Sequence, residues 1–198
     1  ILSYTKAGLS RPPYEWLSQL TFALADAAGG LAGVVLVAGI VIAAAFTIAF
    51  FDARRRGGRL LATTCVTLWA AAASSLHWLT RPHVFSFLFL AAWAYLLEGL
   101  RRGERNRPWQ LPLLMLFWAN FHGGFVFGFI AWAAYGLGWV IRYRREPADT
   151  TYGRRLLAVG AISLAASCLT PAMGANWSAV LGNSSSYILS RTAETMPI

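Results

Sequence analysis

Long stretches without a single charged side chain constrain this sequence more than any other feature. Leu31 to Phe51, Leu60 to Thr80, His83 to Leu97, Phe121 to Ile141 and Leu156 to Pro171 all lack Asp, Glu, Lys and Arg. A helix needs about 20 predominantly apolar residues to cross roughly 30 Å of hydrocarbon. The first, second and fourth stretches reach that length, and the third reaches it by continuing to Leu100. Core strands of water-soluble domains are much shorter. Charged residues make up only 13% of the chain, about half the share of a soluble domain. The pattern predicts an all-α fold, a polytopic transmembrane helical bundle.

The remaining charges set its orientation. Arg54, Arg55, Arg56 and Arg59 follow the first stretch, and Arg101, Arg102, Arg105 and Arg107 follow the third. Arg142, Arg144, Arg145, Arg154 and Arg155 separate the last two. These three loops hold thirteen of the seventeen basic residues, the bias that marks cytoplasmic loops. The net charge of +9 therefore reports topology and predicts no nucleic-acid partner. Keeping the second and third arginine loops on one side requires two crossings between them. Trp109 to Asn120 supplies a short outward helix, and Gly123 to Ile141 returns.

Six membrane segments follow, at about 31–53, 60–79, 83–101, 109–120, 123–142 and 155–170. Before them, Pro13 to Ala28 predicts a helix along the outer surface, ended by Gly29-Gly30. The layout is an external loop with an interfacial helix over 1–30, a bundle over 31–170 and a second external loop over 171–198. Ile1 to Gln19 has no signal-peptide pattern. The ends at Ile1 and Ile198 suggest a piece of a longer chain. Cys65 and Cys168 fall within spans and read as packing residues.

Polar residues that are not topology markers gather on the outer side. They include Tyr4, Glu15, Trp16, Arg81, His83, Asn120, His122 and Glu194, with His77 nearby. Gly123-Gly124 would let backbone approach a ligand closely. Structural readings stand beside the functional ones. Arg81 can anchor to a lipid headgroup, Asn120 to Gly124 can cap a helical hairpin, and Glu15 can satisfy a helix dipole. Asp52 and Glu98, near the inner ends, can pair with neighbouring arginines.

In order, Glu15-Trp16-Leu17, Arg81-Pro82-His83-Val84-Phe85-Ser86, Trp118-Ala119-Asn120-Phe121-His122-Gly123-Gly124-Phe125, Thr170-Pro171-Ala172-Met173-Gly174 and Thr192-Ala193-Glu194 form a familiar series. The chain resembles the GT-C superfamily of polytopic glycosyltransferases that use polyprenyl-phosphate sugars, distantly like the oligosaccharyltransferase catalytic subunit. The resemblance implies transfer of a sugar from a polyprenyl-phosphate donor at the outer face of a bacterial cytoplasmic membrane. It implies catalytic roles for Glu15 and Glu194, with Glu15, or an acid upstream of the chain, as the base on the acceptor hydroxyl. Tyr4, Trp16, Arg81, His83, Asn120, His122, Gly123 and Gly124 would bind substrate, Arg81 holding the phosphate. A divalent cation such as Mg or Mn is a further expectation of the resemblance. It also calls for an acidic residue in the first external loop, at or just before Ile1, and the chain departs from that pattern because none stands there.

Two other readings compete. One is a non-catalytic subunit of a larger membrane complex, a scaffold that contacts pigment or haem through His77, with Ala73 one turn earlier leaving room for a macrocycle. The other is a transporter, which the scarcity of charge inside the spans disfavours.

Overall fold

The computed structural model describes residues 14–104, 107–145 and 150–182. Among the described residues seven α-helices succeed one another: α1 (Trp16–Arg55), α2 (Leu60–Ser74), α3 (Val84–Arg101), α4 (Gln110–Phe121), α5 (Val126–Arg145), α6 (Thr150–Ser167) and α7 (Ala175–Gly182). Short 3-10 turns at Ser75–His77 and Gly123–Phe125 extend α2 and open α5. No strand occurs among the described residues.

Among the described residues, four segments are long and apolar enough to cross a membrane: Trp16–Arg55, Leu60–His77, Val84–Arg101 and Gly123–Tyr143. The six predicted segments map onto α1 to α6, but two fall short of that standard. Helix α4 has only 12 residues. Helix α6 carries Arg154 and Arg155 near its start. The stretch after 171, predicted as loop, contains α7. That helix is tied back to α6, where Asn176 donates to the Ser167 carbonyl at 3.0 Å and Trp177 to the Ser167 hydroxyl at 2.9 Å.

The predicted break at Gly29-Gly30 lies inside α1. Gly30 has φ 59°, a conformation that glycine tolerates and other residues avoid. In a continuous helix, residues eight apart would lie about 12 Å from each other. Here a Cβ on Gly33 would collide with the Ala25 carbonyl oxygen. The chain therefore bends sharply, and 16–28 forms a separate arm.

The core is built on α3, where Phe85, Phe89, Trp93 and Leu97 recur every fourth residue and are buried. That spacing lines one helical face. Against it pack Ala38, Val41 and Ile42 of α1, Met115 and Trp118 of α4, and Leu156 and Val159 of α6. Helix α2 contributes little: Thr63 is its one buried residue, while Leu61 and Trp69 are about three-quarters exposed.

Helices α5 and α6 meet through two matched pairs. Trp132 fills the space beside Gly160, and Trp139 the space beside Gly153, with a spacing of seven on both helices. Trp132 Nε1 also donates to the Leu156 carbonyl at 2.8 Å. Glycine is needed on α6 because a Cβ at either position would overlap rigid indole atoms. Gly160→Ala is expected to destabilise by about 1–3 kcal/mol, the usual cost of overpacking. Gly39→Ala, with nothing within 4 Å of its Cβ, is the control. Thermal unfolding in detergent checks the pair, and equal midpoints would remove this account of the α5–α6 seam.

The bundle has two chemically distinct ends. At one, Arg55 pairs with Asp52 and Glu104 at 2.8 Å each, and Arg56 pairs with Asp52 at 2.7 Å. Glu98, only 1% exposed, receives Arg56 at 3.3 Å, Arg101 at 2.5 Å and Arg102 at 2.7 Å. Tyr135 donates to the same carboxylate at 3.1 Å. The expected pairing of Asp52 and Glu98 with arginines is therefore present. The other end carries the histidines.

Candidate functional site

The histidine end is assembled from three elements that are distant in sequence. The start of α1 brings Glu15 and Trp16, the start of α3 brings His83 and Ser86, and the α4–α5 turn brings Asn120, His122, Gly123 and Gly124. Trp16 Nε1 donates to Asn120 Oδ1 at 2.7 Å, joining α1 to α4. Asn120 Nδ2 donates to the Leu116 carbonyl at 2.8 Å and the Leu169 carbonyl at 3.1 Å. Asn120 thus ties α4 to the arm through its Oδ1 and to the segment after α6 through one amide hydrogen, the other amide hydrogen returning to its own helix. The residue is buried, and its geometry is that of a clamp.

His122 is fixed with unusual completeness. Its Nδ1 accepts the Gly124 backbone N–H at 2.9 Å and lies 2.8 Å from Ser86 Oγ. Ser86 Oγ accepts from Trp118 Nε1 at 2.9 Å, so its own hydrogen goes to His122. With Nδ1 accepting, the neutral ring carries its proton on Nε2. That nitrogen is 3.5 Å from Glu15 Oε1. Burial, with the nearby His83 imidazole adding to it, pushes the His122 pKa down to about 4. The ring is therefore neutral near pH 7 and offers Glu15 an N–H dipole in place of a full charge.

Glu15 is the residue this scaffolding serves. It occupies the position before α1, yet its side chain makes no cap bond to its own helix. The carboxylate receives the Gly123 backbone N–H and faces His122. Desolvation raises its pKa, opposed in part by the Gly123 hydrogen bond and by His83. The helix-dipole reading of Glu15 gives way to a tertiary one.

His83 lies beside this group, its ring centroid 6.4 Å from that of His122. Its Nε2 is 2.7 Å from the His77 carbonyl, which can only accept, so it donates there. Arg81 is exposed in the turn between α2 and α3 at the same end. Gly124 differs from its predicted role, since the space where its Cβ would sit is filled by Ser86 and His122. A Cβ on Gly123 would stand 3.0 Å from Val180 of α7. The bareness of both glycines serves internal packing. Tyr4 and Glu194 lie outside the described residues.

Ser86 and Trp118 belong to the site although sequence reasoning assigned them no role. The signal lay in the three-residue step from His83 to Ser86, which puts both on one side of the first turn of α3. Glu15, His122 and Ser86 are also the residue types of a nucleophilic triad. On the Gly124 side Ser86 Oγ is enclosed, since a Cβ there would collide with it, and its hydrogen is already given to His122.

An apolar groove of about 560 Å³ adjoins the cluster, lined by Trp16, Leu17, Leu116, Phe117, Leu169 and Met173 among others. Among the described residues, no three His, Cys, Asp or Glu side chains come together to hold a metal. The pigment reading of His77 meets an obstacle. Helix α2 ends at Ser74 and tightens into a 3-10 turn, so Ala73 does not lie one α-helical turn before His77.

Fold and site together define an all-helical bundle, with helices long and apolar enough to cross a membrane and a carboxylate–histidine cluster at one end. No protein-family model, curated protein or solved structure matches the chain.

Proposed function

We propose that the chain is the membrane body of a GT-C-like glycosyltransferase, working at the histidine end on a polyprenyl-phosphate sugar. The observation that carries this reading is Glu15: a carboxylate with raised pKa, unspent on capping and held by the Gly123 N–H opposite a neutral His122. Glycosyl transfer from a phosphate needs a base for the acceptor hydroxyl and cations or donors for the departing phosphate. Glu15 supplies the first. Arg81 and His83 supply the second, the guanidinium through its two-pronged donor geometry. The adjoining groove suits a prenyl chain, because its walls are largely apolar and it reaches Trp16 and Asn120.

The arginine-rich end then faces the cytosol of a bacterial inner membrane, by the charge bias of its loops. The donor would be met on the opposite surface. The remaining site assignments, Tyr4 and Glu194, rest on the sequence resemblance alone.

Full-length protein reconstituted in liposomes, supplied with labelled polyprenyl-phosphate hexoses, tests the reading. Transfer by the wild type is expected, with a loss of about 10²-fold or more in Arg81→Ala, whose cation would stabilise the leaving phosphate. His122→Ala should fall as well, through misplacement of Glu15. Wild-type-like turnover in both variants would remove these roles, and no transfer by wild type from any such donor would remove the function.

A further inference from the structure

A second concentration of polar groups lies at the arginine-rich end. A cavity of about 610 Å³ opens between the end of α1, the end of α3, α5 and the start of α6. Its charged lining is Arg56, Arg101 and Arg142 against one carboxylate, Glu98. That carboxylate is already saturated by three guanidinium groups and the Tyr135 hydroxyl. Asp52, just behind it, is taken by Arg55 and Arg56. Arg142 is exposed and makes no ion pair with any described residue. The lining therefore holds two positive charges more than it balances.

The uncharged wall has the same donor excess. Trp139 Nε1 and Tyr152 Oη are buried and have no hydrogen-bond partner among the described residues, and both residues line the cavity. Such donors are costly to leave unmet. Beyond the cavity, Leu137 and Ile141 of α5 are 62% and 48% exposed. A cationic, donor-rich pocket beside an exposed apolar helix face matches a phosphate group carried on an amphiphile.

We infer that this cavity binds a phosphate anion at the arginine-rich end, held by Arg142 and Arg101, with Trp139 and Tyr152 as further donors. Guanidinium groups match phosphate oxygens in geometry and charge. Basic pockets between membrane helices on the cytoplasmic side hold anionic headgroups in the same way. Two sources supply that chemistry, the headgroup of an anionic phospholipid and a soluble phosphate compound. The pocket is separate from Glu15 and owes nothing to the proposed transfer reaction.

Native mass spectrometry of the full chain, released from nanodiscs of phosphatidylglycerol or phosphatidylcholine, reads retention directly. Preferential retention of one phosphatidylglycerol is expected. Arg142→Gln should weaken it about tenfold, the loss of one charge-assisted hydrogen bond. Because Arg142 has no ion pair to break, the variant should unfold at the wild-type temperature. Arg101→Gln, read the same way, guards against compensation. Competition by millimolar inorganic phosphate separates the sources: displacement assigns the pocket to a soluble phosphate, and persistence assigns it to the lipid. Equal retention of both lipids, or retention unchanged in both variants without competition by phosphate, would overturn the inference.

Discussion

Glu98→Ala is expected to lower the stability of the bundle by about 3–5 kcal/mol, the cost of stripping one partner from a buried ionic group. Glu98 is 1% exposed and sits where Arg56, Arg101, Arg102 and Tyr135 converge. The effect does not come from lost attraction alone. Three guanidinium groups would be left facing one another without an anion between them, and Arg56 and Arg101 already border the cavity. Asp52 cannot take over, because Arg55 and Arg56 occupy it. Glu104→Ala provides the comparison. Its side chain is 38% exposed and pairs, among the described residues, with Arg55, so solvent screening limits the loss to about 1 kcal/mol or less. Equal shifts in unfolding midpoint for the two variants would show that the Glu98 cluster is not a keystone. Glu98→Gln should fall between them, since the amide keeps the shape and one acceptor but not the charge.

This cluster shows how far the sequence could be followed. Charge-free stretches and arginine loops reveal helices and their ends, because lipid and water demand so different a composition. They even place Asp52 and Glu98 beside arginines. They do not reveal which arginine meets which carboxylate. Arg56 reaching Glu98 depends on how α1 packs on α3, and no spacing along the chain encodes that. The same holds for the α5–α6 seam. Gly153 and Gly160 look like ordinary breaks in an apolar helix until Trp139 and Trp132 are found in the spaces they leave.

The site was legible to a similar depth. The arginine loops put Glu15, Trp16, His83, Asn120 and His122 on one side, and the fold brings them together. Their division of labour could not be read beforehand. Asn120 was expected to meet a ligand, and instead binds the arm to α4 and the segment after α6. Gly124 was expected to open space, and instead yields it to Ser86 and His122. Ser86, a small polar residue in an apolar helix, gives no sign of which histidine it will meet. Short-range pattern identifies candidates; only tertiary contact tells a scaffold residue from a reacting one.

That distinction yields the second large effect, on activity. Glu15→Gln should reduce sugar transfer by about 10²–10⁴-fold, the range a general base contributes. The substitution keeps the size of the side chain and an acceptor for the Gly123 N–H, so folding should be unaffected. The pH profile identifies the group. As the proposed base Glu15 would act as the carboxylate, and its raised pKa should move the acid limb of kcat/KM above the ordinary value of 4.5. Activity should therefore rise with pH through that limb, and the limb should vanish in the residual rate of Glu15→Gln. His122 would contribute no inflection near 6.5, since its proton leaves at about 4. Its depressed value acts on stability. Between 6.5 and about 4 the unfolded chain holds a proton that the folded one does not, so His122's contribution, complete above 6.5, is lost as pH falls through that window. His122→Ala should flatten this acid loss of stability and leave the identity of the base unchanged. A wild-type acid limb retained in Glu15→Gln, with near-normal turnover, would move the base elsewhere, most directly to a carboxylate outside the described residues such as Glu194.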